Sequence, residues 1–590
     1  MTFKRLLHLF SILLIIQLFA CGDKVIPTEK SNCDVISFKS SMDSKSNGNR
    51  YVVDILENEE FYTLTFDDGS IIDICKEVIK SYQFHPEEWE VEFTFNDETT
   101  HLADSKGDIT ISSQLDPFGR NPLCALATVT GKRSGKVKIN IKGKYGVGSD
   151  LIHEFDEIGS TLEIPIFGLY QDHLNEVVFT FLSQNNDVVD IDTLVIQTQK
   201  ITSISPEIDI IKADRSNMEP GEFHLVSSLS YWGPNIAYMF DTYGELRWLI
   251  NYKDSEILNN LFFDVGIEQL QNGNLYFGDK ISNTIYEVDF FGTIIDSWPL
   301  SGYTYHHQIQ EKPNGNFLVT ANLPESVHNN GKSTKEDYVI EIDRLTKELV
   351  KVWDFKQLLD EDRTALGPWQ EENPVDWIHI NAVVYSESDN TIIVSGRNQG
   401  VVKVDYNDYV KWILAPHEGW GQNRKGQDCN DFLLTATSST IGPYDEDIQS
   451  GNSNASDFEW TWYQHAPLLL PNGNLMTFDN GLNRNFGVTP ENYSRAVEYA
   501  IDEENMSVQQ IWQYGKERGL DTYARVLSDV DYLPITGNIL FCPGYKVSNV
   551  EDMDGGRVIE VDYNTKEVYF EAFIGSPGLT FHRVERMSFY

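Results

Sequence analysis

Five stretches in the C-terminal two thirds of the chain share one pattern: "LQNGNLYFG" from Leu270, "KPNGNFLVT" from Lys312, "SESDNTIIV" from Ser386, "LPNGNLMTF" from Leu470 and "LPITGNILF" from Leu533. Asn-Gly between apolar runs supplies the positive φ that a two-residue turn requires, so each reads as a tight hairpin. A second hairpin recurs as "AYMFDTYGELRWL", "YEVDFFGTIIDSW", "VIEIDRLTKELVKVW", "VVKVDYNDYVKWI", "VEYAIDEENMSVQQIW" and "VIEVDYNTKEVYF". Its aspartates, Asp241, Asp289, Asp343, Asp405, Asp502 and Asp562, count six units at spacings of 48 to 97 residues. Two hairpins make four strands, and a four-stranded unit of about 50 residues is a propeller blade. An array of sandwiches explains regular strands but not paired hairpins at this period. The chain is therefore predicted to be all-β, with a six-bladed β-propeller over residues 201–590. The widest gap predicts an insertion at 416–458, polar and rich in Trp and Gly, lying over one face of the ring.

Upstream, "FYTLTFDDGSIIDI", "GKVKINIKGKYG" and "NEVVFTFLSQNN" alternate with period two between Gly, Asn and Asp clusters, which reads as antiparallel β. A small β-sandwich-like domain is expected at 109–200, with a further β region at 22–108 to which no role is assigned. Residues 1–21 read as a leader: Lys4 and Arg5, an apolar run at 6–20, then "LFACG". A short apolar core and a small residue before Cys21 fit a bacterial lipoprotein signal in which Cys21 is lipidated. The run is too short to span a bilayer, which needs about 20 residues. Membrane contact is thus expected through the lipid anchor alone, in a bacterial cell envelope, facing the periplasm or the cell surface. The other cysteines, Cys33, Cys75, Cys124, Cys429 and Cys542, are too scattered for a disulfide scaffold and form no C-x-x-C pair, and at least one thiol is left over.

With 46 Lys+Arg against 90 Asp+Glu the net charge is −44, spread along the chain. That field argues against nucleic acid or an anionic lipid surface as a partner, and any bound anion needs a local cationic pocket.

The repeats locate such a pocket. His465 lies eight residues before Gly473 and His307 eight before Gly315; His379 falls at the matching strand start if its turn carries two extra residues. In the last unit the equivalent slot is Ser528 or Asp529. If these strands line the axis, three histidines from three blades converge at one end of it. One histidine in a strand is usually structural, but three at one repeat-equivalent position form a site. Arg397, on the strand paired with that of His379, adds a planar cationic fork suited to an oxyanion. Asn381 and Ser528 are candidate substrate contacts. Tyr303, Tyr305, Trp377, Trp462 and Tyr463 could stack a phenyl ring, with Trp377 and Tyr463 singled out, although rings are abundant throughout the chain. Arg495 and Arg583 are further basic candidates for which a packing role is at least as strong.

"DWIHINAVVYSESDNTIIVSGRNQGVVKVD", "WYQHAPLLLPNGNLMTFDNG", "HHQIQEKPNGNFLV" and "SRAVEYAIDEENMSVQQIWQYGKERG" resemble the bacterial arylsulfate sulfotransferase family, and "EIPIFGLYQDHLNEVVFTF" resembles that family's N-terminal domain. The likeness runs from about Ile109 to Tyr590. It implies a six-bladed propeller that moves a sulfuryl group from a phenolic sulfate ester to a phenolic acceptor without a nucleotide donor. It also implies that His465 carries the group transiently while His307, His379 and Arg397 hold its oxygens. Two departures bear on acceptor range: Gln308 stands where an aspartate is often found, and the insertion that holds a disulfide in some members has only Cys429. No cofactor and no metal are expected, and a homodimer is compatible with the reading. Two other functions use the same residues: a membrane-anchored binding propeller for an anionic ligand or protein partner, and an aryl sulfate hydrolase.

Overall fold

The computed structural model describes the chain from residue 109 onward except at 187, 205, 231–235, 256–257, 259–266, 280, 491, 548–554 and 577; before that it describes strands between 52 and 104. The leader and Cys21 lie outside the described residues. Among the described residues no helix is long and apolar enough to cross a membrane.

Six four-stranded antiparallel units stand around one axis. The second blade runs Ile267–Gln269, Leu275–Asp279, Thr284–Val288 and Ile294–Pro299; the third Thr304–Glu311, Phe317–Asn322, Tyr338–Ile342 and Leu349–Asp354; the fourth Ile380–Ser386, Thr391–Gly396, Gly400–Asp405 and Val410–Leu414. The fifth runs His465–Leu469, Leu475–Asp479, Arg495–Asp502 and Ser507–Tyr514, and the sixth Asp529–Tyr532, Ile539–Cys542, Gly555–Val561 and Val568–Gly575. The leading strands of neighbouring blades touch one another, so they are the innermost.

The first blade explains why five first turns accompany six aspartates. Its innermost strand is the C-terminal Leu579–Met587, paired with Phe223–Ser230, and then come Ala237–Asp241 and Leu246–Leu249. Glu207–Ala213 in turn adds an outer fifth strand to the sixth blade. Both chain ends of the ring are thus tied down by main-chain pairing.

Burial follows from this stacking. Middle strands are covered on both faces by neighbouring blades, so Tyr338–Ile342 and Thr391–Gly396 are buried throughout, whereas in the outer Leu349–Asp354 only Trp353 is buried. That is why the middle strands read as continuous Val/Ile runs rather than alternating ones. The repeated aspartates shape the outer turns: Asp241, Asp405 and Asp502 each accept backbone N–H bonds from residues two and three or four ahead. The inner turns differ from the two-residue form expected. Gly273 N–H bonds to Leu270 O while Leu270 N–H bonds to Asn274 O, and the same pair recurs at Leu470, Gly473 and Asn474. These are three-residue turns closed by a left-handed glycine, at φ 88° and 86°. The preceding asparagine spends its side chain instead, Asn472 Oδ1 accepting from Asn474 N.

Part of the insertion departs from the expected course over the ring's face: it reaches the rim, where Thr435–Ser438 pairs in parallel outside Ser507–Tyr514. Gly451 and Asn454 bond to Asn485 in the connection that follows Asn480. Next to the propeller, the 17-residue strand Ala125–Ile141 passes through two sheets of a sandwich. Its first half pairs with Ile109–Leu115 and Gly159–Ile166, its second with Leu151–Glu154 and Leu174–Leu182. The sandwich shares one core with the first two blades, through Phe167, Phe223, Trp248 and Phe290. Residues 52–104 hold two three-stranded antiparallel sheets. Cys124, Cys429 and Cys542 are buried and unpaired.

Candidate active site

Three innermost strands break register where they carry the singled-out histidines: between Tyr305 and Ile309, between Ile380 and Ala382, and between His465 and Leu468. His307 (φ 50°), His379 (φ 54°) and Ala466 (φ 48°) occupy the left-handed region there, as does Ser528 (φ 85°) at the head of the sixth blade. Bulges of this kind re-aim side chains and end ladder pairing. Threonines on the second strands hold two of them: Thr320 accepts from Gln308 N and donates to His306 O, and Thr477 donates to His465 O at 2.7 Å.

His465 has a defined tautomer. Its Nδ1 lies 2.8 Å from Asn480 Oδ1 and 3.1 Å from Tyr463 O. The Asn480 amide cannot be reversed, because its nitrogen donates to Ala524 O at 2.8 Å and Leu527 O at 3.0 Å. Both neighbours of Nδ1 are therefore acceptors, Nδ1 carries the proton, and the lone pair is on Nε2, which makes no hydrogen bond among the described residues. Burial, then the charges of Arg397, His307 and His379, hold the ring's pKa well below 6.5 against the Asn480 bond, so the imidazole is neutral at pH 7.

The second ring differs. His379 Nδ1 sits 2.5 Å from Glu336 Oε2 and 2.9 Å from Asp376 Oδ2, while its Nε2 is 3.1 Å from His307 Nε2. Burial and Arg397 depress its pKa, but Glu336 and Asp376 outweigh them and raise it above 6.5. Both carboxylates titrate low despite burial, because His379 stabilises their charged forms. Asp376 also receives Arg397 Nη2 at 3.3 Å and Lys335 Nζ at 3.3 Å. With His379, Arg397 and Lys335 cationic against Glu336 and Asp376, the cluster carries about one net positive charge inside a strongly acidic protein.

Not every singled-out residue faces this cluster. Asn381 donates to Gln464 O at 2.8 Å and leaves its own buried Oδ1 without a partner. Ser528 Oγ accepts from Gly544 N at 3.0 Å. Tyr463 lies 5.8 Å below the Arg397 guanidinium and is 3% exposed. Trp377 must be corrected: it is wholly buried in the fourth blade's core, its indole donating to Asp337 Oδ2, and offers no face to a ligand. Tyr305 and Trp462 are also buried. Arg495 is locked under the fifth blade by Asp479, and Arg583 pairs with Glu268. Gln308 turns toward the neighbouring blade, accepting from Val383 N at 2.9 Å.

Glu336, Asp376, Lys335 and Asn480 escaped the sequence reading, as did His582, whose ring centroid is 6.0 Å from that of His307. The repeats held a signal for one of them. Seven residues past the turn residue of positive φ (Gly315, Asn390 or Gly473) stand Asn322, Arg397 and Asn480. Arg397 belongs to the cluster, Asn480 orients His465, and Asn322 Oδ1 accepts from the backbone N–H of Glu336. Ligand-type atoms also gather at His306–His307–Glu336, Glu336–Asp376–His379 and Asp529–Asp531–Glu585. In the first two sets the carboxylate charge is already met by His379, Arg397 and Lys335, so they are not assigned to a metal.

The arylsulfotransferase family model matches residues 207–577, and a model for the Ig-like domain of arylsulfotransferases matches 112–199. Arylsulfate sulfotransferase AssT of Escherichia coli O6:H1 (strain CFT073) is 27% identical over 567 residues, covering 80% of this chain and 91% of that one. The protein of the same name from Lelliottia amnigena is 27% identical over 563 residues, with the same coverage. Among solved structures, a streptogramin B lyase is 11% identical over 63% of this chain and 98% of that one, with a TM-score of 0.28. The first model covers well over half of the 590 residues, including five complete blades and all three histidines, and the chain belongs to the arylsulfotransferase family.

Proposed function

We propose that the chain moves the sulfuryl group of an aryl sulfate to a phenolic acceptor in two steps, through a sulfohistidine on His465 and without a nucleotide donor. The observation that carries this reading is the doubly committed Asn480 amide, which forces the proton onto His465 Nδ1 and leaves the Nε2 lone pair free. Nε2 attacks sulfur in line with the aryl oxygen; the S–N bond forms as the S–O bond breaks, and the aryl oxygen keeps the electron pair. Such transition states are loose, so positioning and charge stabilisation dominate. Arg397 supplies donors to the sulfuryl oxygens, and the rings of His379 and His307 stand beside it around the reacting group. In the second step a phenol attacks sulfur, the S–N bond breaks, and the lone pair returns to Nε2.

The leader pattern supports export and lipidation at Cys21, and with them a location in the bacterial cell envelope.

The test is mass spectrometry of the protein after 4-nitrophenyl sulfate is added without acceptor. One SO₃ on His465, ping-pong kinetics with phenol, and loss of both in His465→Ala are expected. An adduct on another histidine, or turnover surviving in His465→Ala, refutes the assignment. Acceptor-independent release of nitrophenol would instead make the protein a hydrolase, and silence would make it a binding propeller.

A further inference from the structure

We infer that Glu336 is a positioning residue: together with Asp376 it keeps His379 protonated, so that His379 Nε2–H is the proton donor to the departing aryl oxygen. The inference rests on the sulfohistidine reading above and adds to it the fate of the proton.

Glu336 is held from several sides. Its backbone N–H goes to Asn322 Oδ1, its carbonyl accepts from Ile380 N at 2.8 Å, and it sits in the left-handed region at φ 56°. A non-glycine residue fixed in that conformation by the strand ends of two blades has its side chain placed with little freedom. What it places is a carboxylate oxygen 2.5 Å from His379 Nδ1 and 3.7 Å from His307 Nε2. Asp376 holds the same Nδ1 from the other chain segment at 2.9 Å.

Every charged or titratable neighbour enters the account. Two carboxylates act on His379 from one side, with Arg397 and Lys335 on Asp376 beyond them. His307 accepts at Nε2, and His306 and His465 are neutral, their pKa values lowered by burial, that of His306 to about 3. With Nδ1 committed to carboxylates, the proton able to leave His379 is the one on Nε2. His307 Nε2, 3.1 Å away, holds it until an aryl oxygen takes that place.

The balance closes without a co-reactant. When the S–O bond breaks, the aryl oxygen takes its electron pair and the proton from His379 Nε2, leaving His379 neutral with Nδ1–H still donating to Asp376 beside the Glu336 carboxylate. When the acceptor phenol attacks, its proton returns to Nε2. The site thus ends each cycle as it began.

The experiment compares phenyl sulfate, whose phenolate is strongly basic, with 4-nitrophenyl sulfate, whose phenolate is not. In Glu336→Gln, kcat for phenyl sulfate should fall on the order of 10²-fold, as expected when general-acid catalysis is lost. The 4-nitrophenyl donor should lose little, KM should be unchanged for both, and the alkaline limb of the phenyl sulfate profile should move to lower pH. Equal losses for both donors with an unmoved limb would overturn the inference and leave Glu336 a structural residue. In the wild type a solvent deuterium isotope effect should appear with phenyl sulfate and vanish with 4-nitrophenyl sulfate; its absence with phenyl sulfate also overturns the inference, even if the variant fails to fold. A His465 adduct from 4-nitrophenyl sulfate in either protein shows that the sulfohistidine reading stands independently.

Discussion

Replacing Asn480 by aspartate tests the protonation of His465 at one atom. Oδ1 at 2.8 Å from Nδ1 is kept, but the amide becomes a carboxylate and the nitrogen that donates to Ala524 O and Leu527 O is lost. An opposite charge at this distance raises a histidine pKa by about 1–3 units. As the proposed nucleophile His465 must be neutral, so the reaction should run above its pKa and fail below it. In the wild type that pKa is well below 6.5, and kcat/KM should be flat on the acid side through about pH 6. In Asn480→Asp the acid limb should rise by the same 1–3 units, with about a tenfold loss for each pH unit below the new value, because kcat/KM reports the free enzyme. Two buried carbonyls also lose a donor, which costs about 1–3 kcal/mol of stability and should lower Tm. Steady-state kcat/KM for 4-nitrophenyl sulfate across pH, on protein shown to be folded by its melt, gives the answer. A folded variant whose acid limb coincides with that of the wild type would show that neutral His465 is not required.

Arg397→Lys keeps a charge but not the fork. Arg397 gives Nη2 to Asp376 and Nε to Asn398, leaving Nη1 for a ligand, and a lysine ammonium cannot fill three directions, so turnover should drop on the order of 10²-fold in a folded protein. Trp377→Phe removes the bond to Asp337, which also takes Lys356 Nζ at 2.9 Å, and empties part of the packed core around the indole. It should cost about 1–3 kcal/mol in denaturant unfolding, with KM for the aryl donor unchanged; a raised KM would restore Trp377 to the binding site.

The ring of blades was legible because each unit writes its turns in the same residues. Asn-Gly marks three of the inner turns and aspartate all six outer ones, and both are local requirements of backbone geometry that tertiary context does not override. Counting strands sufficed for the architecture. The turn length was misread because the positive φ falls on glycine alone, and Asn272, Asn314 and Asn472 work through their side chains. The rim strand of the insertion was missed for another reason: whether a polar segment runs along an outer strand depends on pairing partners far away in sequence, here Ser507 and Val508 for Thr435 and Ala436. In the site, residues at repeat-equivalent places could be aligned, which located His307, His379 and His465, and Arg397 followed from the strand paired with that of His379. Glu336, Lys335 and Asp376 lie between strands, outside any repeat; only the folded loops bring Glu336 to His379 and Lys335 to Asp376, which is itself three residues from His379. Trp377 illustrates the reverse error: two residues from a site histidine, it points into the core, because backbone neighbours need not share a direction.

The same backbone irregularity that hides the site from pattern reading also builds it. In a regular strand successive side chains alternate between faces, and those faces in a propeller are filled by the neighbouring blades. A histidine kept in register would therefore be packed between blades or leave its ring at a fixed angle to the axis. The register slips at His307, Ile380 and His465 release the ladder for one or two residues, and the left-handed φ at His307, His379 and Ala466 re-aims the chain there. Such conformations cost on the order of 1–3 kcal/mol each and persist only where surrounding bonds over-determine them. Those bonds are present: Thr320 on His306 and Gln308, Thr477 on His465, and the Asn381 and Ser395 side chains on Gln464 O. The strain is offset by side chains of the rigid second strands and neighbouring blade, so the rings are held by the scaffold and need not be ordered by the substrate. For a reaction whose transition state makes few new covalent demands, that fixed arrangement of one lone pair, one proton and one guanidinium is the main contribution the protein can make.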